Sequence, residues 1–190
     1  MPLYLRAPLV ACLCLTVAAC GGGAGNGKAA TSGSPPSRVA ASANSNSGLV
    51  PFEGDGFSAR MPTAPKRSTQ QITTPAGPVT AVLYLSDGGT TAYVLSYVDL
   101  PNGQGNLPGA IAGAAKTVGG AVHEENATTY RNFPARDARI TGANGGRATV
   151  FTRAILAKGR LYQLQYVQEG GNVTAPPAVY QRFLNSLRID

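Results

Sequence analysis

The chain has 190 residues, 16 Lys and Arg against 9 Asp and Glu, a net charge of +7, three cysteines and one histidine. That length holds one domain once a leader and a linker are set aside, and a lone histidine, His123, excludes the usual zinc chemistry. The cationic excess is mostly arginine scattered through the second half, a charge drawn to anionic headgroups and wall polymers as readily as to nucleic acid, and the lack of interleaved aromatics argues against nucleic acid as the partner.

The chain opens with Arg6 and an apolar run from Ala7 to Val17, broken by Pro8 and Thr16. Such a run reads as a secretory leader and is too short to span a bilayer. It ends in Val17-Ala18-Ala19-Cys20, which looks like a bacterial lipobox: residues 1–19 are expected to be cut away and Cys20 to become an acylated first residue. Leu9-Val10-Ala11-Cys12 fits the same pattern but leaves almost no apolar core upstream of the cut. Cys12 and Cys14 leave with the leader, so neither an intramolecular disulfide nor a cysteine metal site is available. Two acyl chains, at about 0.8 kcal/mol per buried methylene, suffice for stable attachment. The expected address is the extracytoplasmic face of the cell membrane.

Residues 20–48 are almost wholly Gly, Ala, Ser, Asn, Thr and Pro. A segment of that composition buries too little apolar surface to offset its ordering entropy and is expected to be a disordered tether, with a reach of roughly 30 Å. Its glycines are not a phosphate loop, because no strand precedes them and no helix follows.

Residues 49–190 read as one α+β domain. Alternating apolar and polar residues predict strands near Val50 to Arg60, Arg67 to Thr74, Val79 to Ser86 and Thr91 to Val98, expected to form a meander. Pro75-Ala76-Gly77 and Asp87-Gly88-Gly89 supply turns. After a loop from Asp99 to Asn106, the spacing of Leu107, Ile111, Ala114, Ala115 and Val118 predicts a short helix ended by Gly119-Gly120. Gly109 and Gly113 weaken that helix, so it must be held by docking. Strand texture returns over Ala121 to Thr129, Ala135 to Thr141, Arg147 to Ala157 and Arg160 to Gln168, with turns at Gly142 to Gly146 and Lys158-Gly159. Pro176-Pro177 then introduces a helix with Tyr180, Phe183, Leu184 and Leu187 on one face and Gln181, Arg182, Asn185 and Arg188 on the other. Strands such as Thr91 to Val98 are apolar on both sides, which predicts cover on both sheet faces. The expected architecture is an antiparallel sheet of about seven to eight strands covered by two helices.

Over residues 49–190 the chain resembles the PsbP-like fold family, in its bacterial lipoprotein branch. The likeness runs through Phe57-Ser58-Ala59-Arg60-Met61-Pro62, Thr74-Pro75-Ala76-Gly77-Pro78, Ala92-Tyr93-Val94-Leu95-Ser96-Tyr97, Phe133-Pro134-Ala135-Arg136, Gly159-Arg160-Leu161-Tyr162-Gln163-Leu164 and Phe183-Leu184-Asn185-Ser186-Leu187. These are fold signals, strand and turn patterns rather than reactive groups. The resemblance implies a PsbP-like sandwich and a non-enzymatic binding or accessory role.

The residues themselves nominate little chemistry. In His123-Glu124-Glu125, strand alternation sets His123 and Glu125 on one side and Glu124 on the other, a charged edge rather than an acid–base pair. No Gly-x-Ser-x-Gly elbow occurs, and Asp87 and Asp99 are explained by turns. Two surfaces stand as candidates. Tyr84, Tyr93, Tyr97, Tyr162 and Tyr166 read either as core or as the lining of an apolar ligand or partner groove. Arg136, Arg139, Arg147, Arg153 and Arg160 read either as solvated strand charges or as a basic sheet edge. The expected function is a non-catalytic module that binds a protein or envelope component, with no cofactor. A carrier of a lipid-like ligand is the alternative, and an envelope hydrolase comes third.

Overall fold

The computed structural model describes residues 48–74, 77–100 and 103–190. The expected leader, Cys20, nearly all of the tether, Pro75-Ala76 of the expected Pro75-Ala76-Gly77 turn and Pro101-Asn102 of the expected Asp99 to Asn106 loop lie outside them. Among the described residues, β3 (Lys66–Thr74), β4 (Gly77–Asp87), β5 (Thr91–Asp99), β6 (Ala121–Tyr130), β7 (Phe133–Gly142), β8 (Ala148–Ala157) and β9 (Arg160–Glu169) form an antiparallel seven-stranded sheet in the order β3-β4-β5-β9-β8-β7-β6. A smaller sheet of β1 (Val50–Gly54), β2 (Phe57–Met61) and β10 (Arg188–Ile189) has the order β1-β2-β10. Helices α1 (Leu107–Thr117) and α3 (Ala178–Ser186) flank the large sheet, and the Gly142–Gly146 turn contains a single tight turn, α2 (Ala143–Gly146).

The first expected strand is two. Val50 to Arg60 is broken by Asp55-Gly56, a two-residue hairpin turn that pairs Gly54 with Phe57. This hairpin leaves the main sheet, so the meander there is β3-β4-β5 alone. It packs over one face, with Phe57, Ala59 and Met61 all buried. The last helix also stops two residues early: Leu187 is extended and buried, while Arg188 enters β10 and pairs with Ser58.

The remaining elements follow local chemistry. Asn106 caps α1 by accepting from the Gly109 N–H at 3.0 Å, and the Gly120 N–H closes its far end on the Ala115 carbonyl at 2.9 Å. At Lys158-Gly159 both residues have positive φ, 50° and 74°, the geometry that a two-residue hairpin between twisted strands requires.

The two faces of the large sheet are covered unequally. On one lie α3 and the small sheet, enclosing the main core around Leu95, Ile155, Leu164 and Phe183. On the other, α1 buries Ile111, Ala114 and Ala115 against Ala138, Ile140, Val150 and Ala154 of β7 and β8. Two-sided apolar strands predict cover on both faces, yet α1 packs mainly on β6, β7 and β8 and reaches β9 only at its near edge, where Gln163 donates to the Ala110 carbonyl and Leu161 and Val167 border the packed residues. One eleven-residue helix is too narrow to cover seven strands.

Candidate functional site

The five tyrosines converge. Register aligns Tyr93 with Tyr166 and Tyr97 with Tyr162, and Tyr84 lies one strand further out on the same face. They are not open to solvent: their exposures run from 2% to 6%. Phe57 reaches down from the hairpin to within 5.5 Å of the Tyr84 ring centroid and 5.9 Å of those of Tyr97 and Tyr162. Phe183 of α3 stands edge-on to Tyr93 at 5.5 Å. Interlocking rings at these distances fill the space between the layers. Burial pushes the hydroxyls up, Tyr93 to about 12 with help from neighbouring Tyr166, and Tyr97, Tyr162, Tyr166 and Tyr180 in the same direction.

The arginines do not converge. Arg136 pairs with Glu125 at 2.8 Å on the α1 face. Arg153 forms a two-pronged bond to Asp137 at 2.6 and 2.7 Å on the α3 face, with Tyr130 beside it. Arg160 stacks 4.1 Å above the Tyr97 ring, bonds Asp99 at 2.6 Å and reaches the side chain and carbonyl of Asp55 in the β1–β2 turn. Arg147 stands exposed beside the Asn144 carbonyl, on the rim of an open cleft of about 490 Å³ with Glu169. Arg139 is 8% exposed; one of its Nη atoms meets Glu124 at 2.6 Å and His123 Nδ1 at 3.0 Å, while its buried Nε has no hydrogen-bond partner.

That last contact corrects the expected geometry of His123-Glu124-Glu125. A β-bulge between Val122 and Glu124 breaks the alternation, so His123 and Glu124 both reach Arg139 while Glu125 turns to Arg136 on the other face. The Arg139 guanidinium, by hydrogen bond and by charge, holds the Glu124 carboxyl below the usual carboxylate range. Two charges and an imidazole thus pin an edge strand. Among the described residues, no group of three or more His, Cys, Asp or Glu side chains is placed to hold a metal.

The surface that pattern reasoning missed is the uncovered half of the α1 face. There β4 and β5 align Leu85 with Val94, Leu83 with Ser96 and Ala81 with Val98, and β9 borders them with Gln165, Gln163 and Leu161, the last two already touching α1. Leu83, Leu85, Val94 and Val98 lie in inner strands yet are only half-buried, and Ile72 on β3 is 40% exposed. Apolar side chains grouped on a solvent-facing sheet interior, bordered by amides and a hydroxyl, have the composition of a protein contact surface. The available signal was arithmetic: a two-sided apolar sheet with a single helix on one side leaves half a face bare. No helix among the described residues is long and apolar enough to cross a membrane.

No family model and no curated protein matches the sequence. Among solved structures, cyanobacterial PsbP from Synechocystis sp. PCC 6803, determined in solution, is similar with a TM-score of 0.54 at 11% identity, covering 80% of this chain and 99% of that one. A protein of unknown function from Pseudomonas aeruginosa is similar at a TM-score of 0.36 and 12% identity, over 64% of this chain and 83% of that one, too low a score to support an argument. The chain has a PsbP-like α+β fold.

Proposed function

We propose that this protein is a lipid-anchored, non-catalytic module of the cell envelope that recognises a protein through the open half of its α1 face. The observation that carries the reading is the half-buried group of Leu83, Leu85 and Val94 beside exposed Ile72, on a rigid sheet interior. Such a surface offers apolar area together with the amides of Gln163 and Gln165, the two ingredients of protein recognition. A PsbP-like fold supports the same reading, because the sequence resemblance implies accessory proteins. Attachment rests on Val17-Ala18-Ala19-Cys20, and residues 21–48 give the domain room to find its partner away from the bilayer.

Both halves of the proposal are tested in cells that produce the full chain. Metabolic labelling with a clickable fatty acid is expected to mark the protein, and Cys20→Ala to abolish the mark and release the chain from membranes. A photo-crosslinking residue in place of Leu83 is expected to yield a protein adduct, whereas the same residue in place of exposed Arg182 on α3 is not. Unlabelled parent chain overturns the anchor. Lipid adducts alone at Leu83, or none, overturn protein recognition, the former in favour of a carrier.

A further inference from the structure

Solvent-facing helix positions ordinarily carry charge. Those of α1 do not: its exposed residues are Pro108, Gly109, Ala112, Gly113, Thr117 and, as the one cation, Lys116. Gly113 is the telling case. A Cβ there would meet nothing within 4 Å, so the packing of a single chain does not call for glycine, and a glycine inside a helix weakens it. The flank formed by Ala110, Gly113 and Thr117 turns toward the open half of the sheet, since Gln163 of β9 donates to the Ala110 carbonyl at 3.0 Å. One half of this face is therefore a low, nearly uncharged ridge. The other half is a trough with an apolar floor.

Ridge and trough are related to each other by a two-fold axis parallel to the strands and above β9. Rotation about it carries α1 of one copy onto β4 and β5 of another, and the reverse contact forms at the same time, as a self-complementary interface requires. An axis across the strands would instead set α1 upon α1. Charge supports the first choice. The C-terminal end of α1 packs at Val150, in the sheet row that runs Val150, Val167, Ala92, Asp87. Rotation about an axis along the strands preserves height, so Lys116 arrives above the far end of that row. Asp87 waits there exposed, accepting from the Gly89 N–H at 2.9 Å and, like Lys116, making no salt bridge among the described residues.

We propose that the open half of the α1 face is filled by α1 of a second copy of this chain, in a two-fold dimer with Lys116 of each copy paired to Asp87 of the other. The proposal rests on reading that face as a protein-docking surface and adds the identity of the occupant.

The test uses the full chain in cells, carrying Lys116→Cys together with Asp87→Cys and treated with a short bis-maleimide, with the parent chain as background. A cross-linked species of twice the chain mass is expected. Gly113→Leu added to the pair has room within one chain but blocks the approach of the second, so it should cut the cross-linked yield about tenfold without lowering the thermal midpoint. Absence of the dimer above the parent's background, or a dimer indifferent to Gly113→Leu, overturns the proposal. The Leu83 photo-adduct separates the two levels of inference. Twice the chain mass supports a second copy, any other protein mass overturns it but sustains docking, and no protein adduct overturns both.

Discussion

The Tyr130 hydroxyl lies 2.7 Å from the Leu187 carbonyl oxygen and 3.0 Å from that of Leu184, so the last residue of β6 closes the C-terminal end of α3. Those carbonyls belong to the helix terminus, where the Leu187 N–H reaches the Leu184 carbonyl only at 3.5 Å, and no basic residue lies in the last turn to serve them. Tyr130→Phe keeps the buried ring and removes the hydroxyl, which donates to these carbonyls and accepts from the Arg131 Nε–H at 3.3 Å. It is expected to cost about 1–3 kcal/mol in urea unfolding, the range for a buried polar group left unpaired, with an unchanged m-value.

Arg160 is the clasp between the small sheet and the large one, stacked on Tyr97 and bonded to Asp99 and Asp55 at once. Arg160→Lys keeps the charge but loses the planar fork and the stack, and is expected to cost about 1–2 kcal/mol. Hydrogen exchange locates the effect: amides of β1 and β2 lose protection first, while those of β7 and β8 keep theirs.

Alkaline pH should unfold the domain through its tyrosines. Tyr93 ionises near pH 10 in an unfolded chain and at about 12 in the fold, so the native state holds its proton more tightly across that window. The stabilisation is complete below pH 10 and is lost as pH rises toward 12. Tyrosinate absorbance should therefore rise together with loss of far-ultraviolet dichroism rather than before it, and Tyr93→Phe should flatten the slope of stability against pH in that window.

At the acid end the sign reverses. Glu124 is held below its usual range by Arg139, so its share of stability is present above the unfolded value of about 4.5 and is lost as pH falls through the lower folded value. Glu124→Gln should remove that acid dependence. It should also destabilise more at neutral pH than Arg139→Met, because the first leaves a buried guanidinium without its counter-charge and the second removes it along with an unpaired Nε. Thermal midpoints of the two variants at neutral and mildly acidic pH decide the order.

Much of the fold is written in local pattern. Lys158-Gly159 announces its hairpin by composition, and Leu107 to Val118 announces α1 by spacing. The Asp55-Gly56 hairpin is hidden because β1 and β2 both alternate, so the run reads as one strand unless the turn pair is given weight. Ion pairs were illegible for a different reason. Arg153 meets Asp137 sixteen residues away and Arg136 meets Glu125 eleven away, and both depend on cross-strand register, which composition does not supply. Parity likewise sets the tyrosines on one face but is silent on what covers them. The bulge at His123 reverses the expected grouping of that cluster, a one-residue irregularity with no composition signal of its own.

The outer strands of the small sheet, β1 and β10, flank β2 on either side. Val50 sits opposite Met61 and Ile189 opposite Phe57, so the entry and exit of the domain are roughly 17 Å apart, four residues along one strand and two strand spacings across. A linker of about six to eight residues bridges that gap, which makes the domain a scaffold for circular permutation. Both ends emerge on the α3 side, so a reporter fused at either one leaves the α1 face unobstructed.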